Sequence, residues 1–287
     1  RMAHRKKSPI KKPHATGSLI IVGGREDKEK ERRILKVIVV RNGNGHMVIA
    51  TVASAMASDL WKEYKSVFTH MGVKHISHLH VDQAEDARDP DVIKIMDKAK
   101  TVFFTGGDQL KITTKIGGTP IFQRMLEIYE SGGIIAGTSA GASMMGETML
   151  VGSEATESHK VGNWMMAPGL GLVKNMIIDQ HFAQRGRIGR LLGAVALNPG
   201  VLGIGIDEDT AIIVEDGMFK VVGTNAVYVV DGTAVTYTNI SEAAAEKTMS
   251  MHNVKIHILS CEEVFDLQTR TASVGGREDQ PVGFLHR

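Results

Sequence analysis

The segment Gly132 to Gly146 reads GGIIAGTSAGASMMG, and within it Gly137-Thr138-Ser139-Ala140-Gly141 sets a serine between two glycines at the end of an apolar run. A serine hydroxyl is presented for attack when it sits on a sharp strand-to-helix turn, with glycines two before and two after it relieving the crowding. Ile134-Ile135-Ala136 supplies the strand, and Ala140 to Met145 supplies small, helix-compatible residues. The N–H groups of such a helix start would face a developing oxyanion. The pattern alone is weak, because a glycine-rich packing turn reads the same way.

A nucleophilic serine needs a base, and the base needs an acid to orient it. The chain has 12 histidines. His4 and His14 precede the first strand-like run, and His46, His70 and His75 fall near turns. His78 and His80 alternate along a strand, His159 lies in a polar segment, and His252, His257 and His286 come late. His181 differs: the apolar run Val173–Ile178 ends in Asp179-Gln180-His181-Phe182, which places it at a strand exit, as Ser139 is. For the acid, Leu202–Ile206 is a buried-strand pattern ending in Asp207-Glu208-Asp209-Thr210, and alternation does not say which carboxylate points inward. The order serine, histidine, acid fits these strand ends better than serine, acid, histidine, which would need His252 or His257 as base.

The elements that must carry these residues alternate. Strand patterns at Leu19–Val22, Met47–Val52, Ile76–Val81 and Thr101–Thr105 are separated by helical patterns over Glu26 to Arg41, Asp59–Met71 and Val92–Ala99, and Ile121–Tyr129 precedes the serine strand. This rhythm predicts an α/β fold with a mostly parallel sheet and helices on both faces. Ligands of such sheets gather beyond the carboxyl ends of the strands. Gly23-Gly24-Arg25-Glu26-Asp27, Gly106-Gly107-Asp108-Gln109 and the serine turn all lie there. After about Val201, short runs at 202–206, 211–214, 219–222, 227–230 and 254–259 predict a β-rich C-terminal part added antiparallel at the sheet edge. The expected organisation is a basic disordered tail over 1–16, one α/β domain over 17–267 and a polar tail over 268–287. A second GGRED, at 275–279, has unrelated flanks and reads as coincidence.

With 287 residues and a net charge of +2, the body of the chain is neither a polybasic nucleic-acid binder nor an acidic tail. Its basic surplus gathers at Arg1, Arg5, Lys6, Lys7, Lys11 and Lys12, with no apolar stretch behind it to make a secretory signal. No run reaches the ~18 apolar residues of a membrane span, and the single Cys261 fits a reducing compartment, so the expected location is the cytoplasm. No H-E-x-x-H and no Cys/His cluster with ligand spacing is present, so neither metal nor other cofactor is expected.

Taken in order, Gly23-Gly24 with Glu26-Asp27, Gly106-Gly107-Asp108-Gln109, Gly137-Thr138-Ser139-Ala140-Gly141-Ala142, Asp179-Gln180-His181-Phe182, Arg185-Gly186-Arg187-Ile188-Gly189-Arg190 and Gly205-Ile206-Asp207-Glu208-Asp209-Thr210-Ala211 resemble the cyanophycinases. These belong to a serine peptidase family that also contains the α-aspartyl dipeptidases. The resemblance runs from about Ser18 to Val264. It implies a class I glutamine-amidotransferase-like (flavodoxin-like) fold with serine in place of cysteine, a triad of Ser139, His181 and Glu208, and a homodimer. It also implies a substrate: cyanophycin, a poly-aspartate backbone with arginine on each β-carboxyl, cleaved to β-Asp-Arg dipeptides.

On that implication, backbone N–H groups of Ala140 and Gly107 are expected to meet the oxyanion. Asp179, Asp108 and Glu26 are expected to face a substrate guanidinium, with Gln109 and Gln180 bonding its planar groups. Arg187 and Arg185 are expected to hold a carboxylate, with Arg190 behind them. An aspartyl dipeptidase or isopeptidase with the same triad, and a non-enzymatic amino-acid-binding protein of the same fold, are the alternatives. A cysteine amidotransferase is rejected, because Cys261 lies far from the serine turn.

Overall fold

A computed structural model describes residues 17–152, 160–161 and 165–275. The expected basic tail, His159 and the C-terminal residues from 276 lie outside the described residues. Among the described residues the order is β1 (Ser18–Val22), α1 (Arg33–Asn42), β2 (His46–Ala50), α2 (Ala57–His70) and β3 (Ile76–Leu79). α3 (Pro90–Lys94), β4 (Ala99–Phe104), α4 (Gln109–Ile116), α5 (Pro120–Glu130), β5 (Ile134–Thr138) and the single turn α6 (Ala140–Ser143) follow. Next come β6 (Gly146–Val151), β7 (Met165–Pro168), β8 (Val173–Gln180), α7 (Ile188–Leu197), β9 (Leu202–Ile206), β10 (Thr210–Glu215), β11 (Met218–Gly223) and β12 (Val227–Asp231). The strands β13 (Tyr237–Thr238), β14 (Met251–His252), β15 (Lys255–Leu259), β16 (Val264–Asp266) and β17 (Thr271–Ser273) come last among the described residues.

A nine-stranded sheet runs in the order β17-β16-β11-β10-β1-β5-β4-β2-β3. From β1 to β3 its pairs are all parallel, and from β1 outward through β10 they are antiparallel. Successive residues of β1 serve opposite faces. Ile20 and Val22 pack with Ile34, Leu35 and Ile38 of α1 and Tyr64 and Phe68 of α2, whereas Leu19 and Ile21 join Ile112 of α4 and Ile121 and Met125 of α5. Both faces are covered, which is why these strands read as unbroken apolar runs.

The sheet differs from expectation in one respect that matters for the site. Of the runs expected antiparallel at its edge, β10 and β11 do lie there, but β9, β12 and β15 do not join it: they belong to a second, six-stranded sheet ordered β15-β12-β9-β8-β6-β7, in which β9 runs parallel to β8. Met176, Ile178, Ile204 and Ile206 of that sheet share a core with Leu19, Val48 and Phe104 of the first, and Leu191, Ala194 and Val195 of α7 pack with Ile177 and Val230 of the second sheet. An apolar run signals burial on both faces, not which strand lies beside it.

Smaller differences have local causes. The helix expected from Glu26 begins at Arg33, because the Asp27 carboxylate accepts the N–H groups of Glu29, Lys30 and Arg32 and holds that stretch as a turn. Met144 and Met145 lie beyond the single turn of α6, fully buried in the core. The polar tail expected from 268 contains β17, which pairs with β16 and extends the nine-stranded sheet.

Candidate functional site

The serine turn is built by exclusion of side chains. Ser139 follows β5 with φ 55° and ψ −113°, a conformation costly for a residue with a Cβ. A Cβ on Gly137 would lie 2.2 Å from the Gly141 carbonyl oxygen, and one on Gly141 would lie 2.6 Å from that of Phe104. Only glycine at both positions lets β5 turn into α6 at this distance. Ser139 is left half-buried between the buried Thr138 and Ala140.

β8 delivers the imidazole. His181 sits one residue past the strand with φ 45° and is only 4% exposed. Its ring lies against Gly24, where a Cβ would come within 2.3 Å of Cε1. Nε2 is 3.0 Å from Ser139 Oγ, and Nδ1 is 2.7 Å from Glu208 Oε1. A carboxylate can only accept, so Nδ1 carries the proton and the Nε2 lone pair faces the serine hydroxyl. Burial pushes the His181 pKa below the usual histidine range, against the hydrogen bond to Glu208, while the charges of Arg185 and Arg187 push it down further. The ring is therefore neutral at neutral pH and can take a proton.

The three carboxylates after β9 have separate tasks. Glu208 faces the imidazole, its own N–H held by the Gln184 side chain at 3.0 Å. Asp207 accepts from the Ala183 and Ala226 N–H groups, and burial pushes its pKa up. Asp209 accepts from the Asp27 N–H and the Thr224 hydroxyl.

Several residues expected to meet substrate are engaged within the chain. Asp179 is fully buried, and its two oxygens accept from Nε and Nη2 of Arg190, the former at 2.7 Å. The guanidinium it faces belongs to its own chain. Glu26, 4% exposed, accepts from the hydroxyls of Tyr64 and Thr138. Asp108 caps α4 by accepting the Leu110 N–H. The Gln109 amide donates to the Leu150 carbonyl at 2.9 Å.

Others border the serine and histidine. Gln180 Oε1 lies 3.4 Å from Ser139 Oγ, a more distant acceptor than His181 Nε2 for its one proton, and the Gln180 amide donates to Ser143, a buried residue that sequence reasoning missed. Arg187 donates to the Gln180 carbonyl at 2.7 Å and lies 3.4 Å from Asp179; burial brings its pKa down to about 10, against the pull of Asp179. Arg185 is exposed. Gly106 packs against the serine, since a Cβ on it would lie 3.4 Å from Ser139 Cβ, and Gly107 follows with φ 140°. Ala140 opens α6, so its N–H has no partner within that helix. Among the described residues there is no group of three or more His, Cys, Asp or Glu side chains able to hold a metal, and no helix is long and apolar enough to cross a membrane.

A hydroxyl, an imidazole and a carboxylate in line at the carboxyl ends of three strands, on a mixed α/β framework, have the arrangement of a serine hydrolase. Residues 19–222 match peptidase family S51, and the chain belongs to that family; it is a peptidase. It is 36% identical over 268 residues to a cyanophycinase of Geminocystis herdmanii, covering 92% of this chain and 98% of that one. It is 37% identical over 267 residues to a cyanophycinase of Trichormus variabilis, covering 91% and 90% of the two chains. In fold it is similar to a peptidase from an acI-B1 Actinobacterium (TM-score 0.63, 22% identity, 88% of this chain and 98% of that one). A putative peptidase E from Listeria monocytogenes EGD-e is also similar in fold (TM-score 0.53, 13% identity, 74% and 100%).

Proposed function

We propose that the chain is a serine peptidase that hydrolyses cyanophycin to β-Asp-Arg dipeptides through an acyl-enzyme on Ser139. The observation that carries this reading is the line Ser139 Oγ–His181 Nε2–His181 Nδ1–Glu208 Oε1, at 3.0 and 2.7 Å, in a chain so similar to cyanophycinases.

Ser139 Oγ attacks a backbone aspartyl carbonyl as His181 Nε2 takes its proton, and Glu208 stabilises the imidazolium through Nδ1–H. The imidazolium returns the proton to the leaving amine as the C–N bond breaks. Water, deprotonated by the same nitrogen, then releases the acyl group and restores the hydroxyl. Proton transfer of this kind contributes about 10²–10⁴-fold. The oxyanion is received by the N–H groups of Ala140 and Gly107, and losing one such donor costs about 3–4 kcal/mol. Arg185 and Arg187 attract the substrate's carboxylates, while Gln109 and Gln180 offer amide groups to its planar ends. Asp179 acts indirectly, by fixing Arg190 and Arg187, and Asp108 by capping α4 beside Gly107. A class I glutamine-amidotransferase-like ordering of the parallel strands, a homodimer and a cytoplasmic setting belong to the same reading; light scattering after gel filtration tests the dimer.

The test is to incubate wild type and Ser139→Ala with insoluble cyanophycin and identify products by mass spectrometry. β-Asp-Arg released by wild type alone is expected. Polymer left intact by a wild type that cleaves short aspartyl dipeptides would overturn the substrate.

A further inference from the structure

Three successive carbonyls at the end of β1 receive N–H groups from the three segments that form the site. Ser139 donates to Val22 at 3.1 Å, His181 to Gly23 at 2.8 Å, and Asp209, the neighbour of Glu208, to Gly24 at 2.9 Å. All three donors have left-handed backbones, with φ of 55°, 45° and 48°. Residues with a Cβ stay in that region only where surrounding contacts over-determine them. The strand exit after β1 is common to all three.

Glu26 ties that exit to the serine strand. Its Oε2 accepts from the hydroxyl of Thr138, the residue before Ser139, at 2.6 Å, and its Oε1 accepts from the Tyr64 hydroxyl on α2. Arg25 and Asp27 on either side reach the acid's turn: Arg25 Nε lies 3.5 Å from Glu208 Oε1, and the Asp27 N–H donates to Asp209 Oδ1 at 2.9 Å. Gly24, between Gly23 and Arg25, leaves the His181 ring its space. With both oxygens bonded and 4% exposure, Glu26 is placed to hold its neighbours and not to meet substrate.

We propose that Glu26 is a positioning residue of the peptidase reaction: through Thr138 and the turn Gly23–Asp27 it keeps Ser139 and His181 in hydrogen-bonding register. The proposal rests on Ser139 being the nucleophile and His181 its base. Displacement of reacting groups by about 1 Å costs about 10²-fold in rate.

The test compares wild type, Glu26→Ala, Glu26→Gln, Thr138→Val and Ser139→Ala on cyanophycin. Active sites are counted by the end point of labelling with a fluorophosphonate, and the labelling rate is recorded. Expected for Glu26→Ala is a kcat per titrated site lower by about 10²-fold, with KM changed less than about twofold and slowed labelling. Glu26→Gln, which still accepts one hydroxyl hydrogen bond, falls between Glu26→Ala and wild type, and Thr138→Val loses about tenfold. A wild-type kcat per titrated site in Glu26→Gln and Thr138→Val overturns the proposal even where Glu26→Ala does not fold, and so does a raised KM at unchanged kcat. Turnover by Ser139→Ala would remove the nucleophile reading itself. Its absence alongside unimpaired Glu26 and Thr138 variants would remove only the role of Glu26.

Discussion

His181 Nε2 lies 3.0 Å from Ser139 Oγ, although the two residues leave strands of different sheets. The hydrogen bond therefore depends on how the sheets pack, and both residues hold positive φ to make it.

Gly141→Ala sets a methyl 2.6 Å from the Phe104 carbonyl oxygen and 2.8 Å from its Cβ. Overpacking of this kind costs about 1–3 kcal/mol, and urea denaturation should show that loss together with reduced turnover. A variant with wild-type stability and rate would contradict the steric account of the turn.

Arg185→Gln should move the acid limb of the kcat/KM profile to higher pH. The His181 pKa is lowered by burial first and by the Arg185 charge among the later causes. On the proposed mechanism the neutral ring is the active form, so activity falls as pH drops through this pKa. Removing a positive charge raises the pKa, and the limb moves up with it. An unmoved or downward-shifted limb would contradict the assignment.

Sequence and structure part company at identifiable places. Ser139 and His181 stand out because each ends an apolar run next to polar or glycine residues, a signature of strand exits that survives in one dimension. Glu208 does not: Asp207 and Asp209 are claimed by groups from residues 27, 183, 224 and 226, and Glu208 by the His181 ring, partners distant in the chain. Asp179 reads as available for substrate because its partner Arg190 lies on α7, eleven positions away with no periodic relation to β8. The runs of β9, β12 and β15 read as additions to the edge of one sheet, since a short apolar run is compatible with either sheet. Only the packing of the sheets on a common core decides between them.

Arg190→Leu should destabilise the fold by about 3–5 kcal/mol, the typical cost of leaving a buried charge without its partner. Asp179 is fully buried, and Arg187 at 3.4 Å is a poorer replacement. The double variant Asp179→Leu/Arg190→Leu should recover part of the loss in urea titrations. A double variant less stable than Arg190→Leu would contradict this.

Arg270→Ala should lower stability by about 1.5–3 kcal/mol, the worth of a charged hydrogen bond. Arg270 donates to buried Asp231 at 2.8 Å from beyond residue 267. Burial pushes the Asp231 pKa up, but the Thr233 hydrogen bonds and Arg270 together hold it below the ordinary 3.8. A depressed carboxylate pKa stabilises above the unfolded value, and that stability is lost as pH falls through the folded value. The difference between Arg270→Ala and wild type should accordingly be full near neutrality and shrink in acid. A difference independent of pH would point to lost packing instead.

The most direct test of the account is to mix the protein with soluble cyanophycin fragments, quench in acid within the first turnover and map the peptides by mass spectrometry. The account predicts an aspartyl adduct on the peptide carrying Ser139, absent from Ser139→Ala and accumulating more slowly in Glu208→Gln. An adduct on another residue, or turnover undiminished by Ser139→Ala, would contradict it.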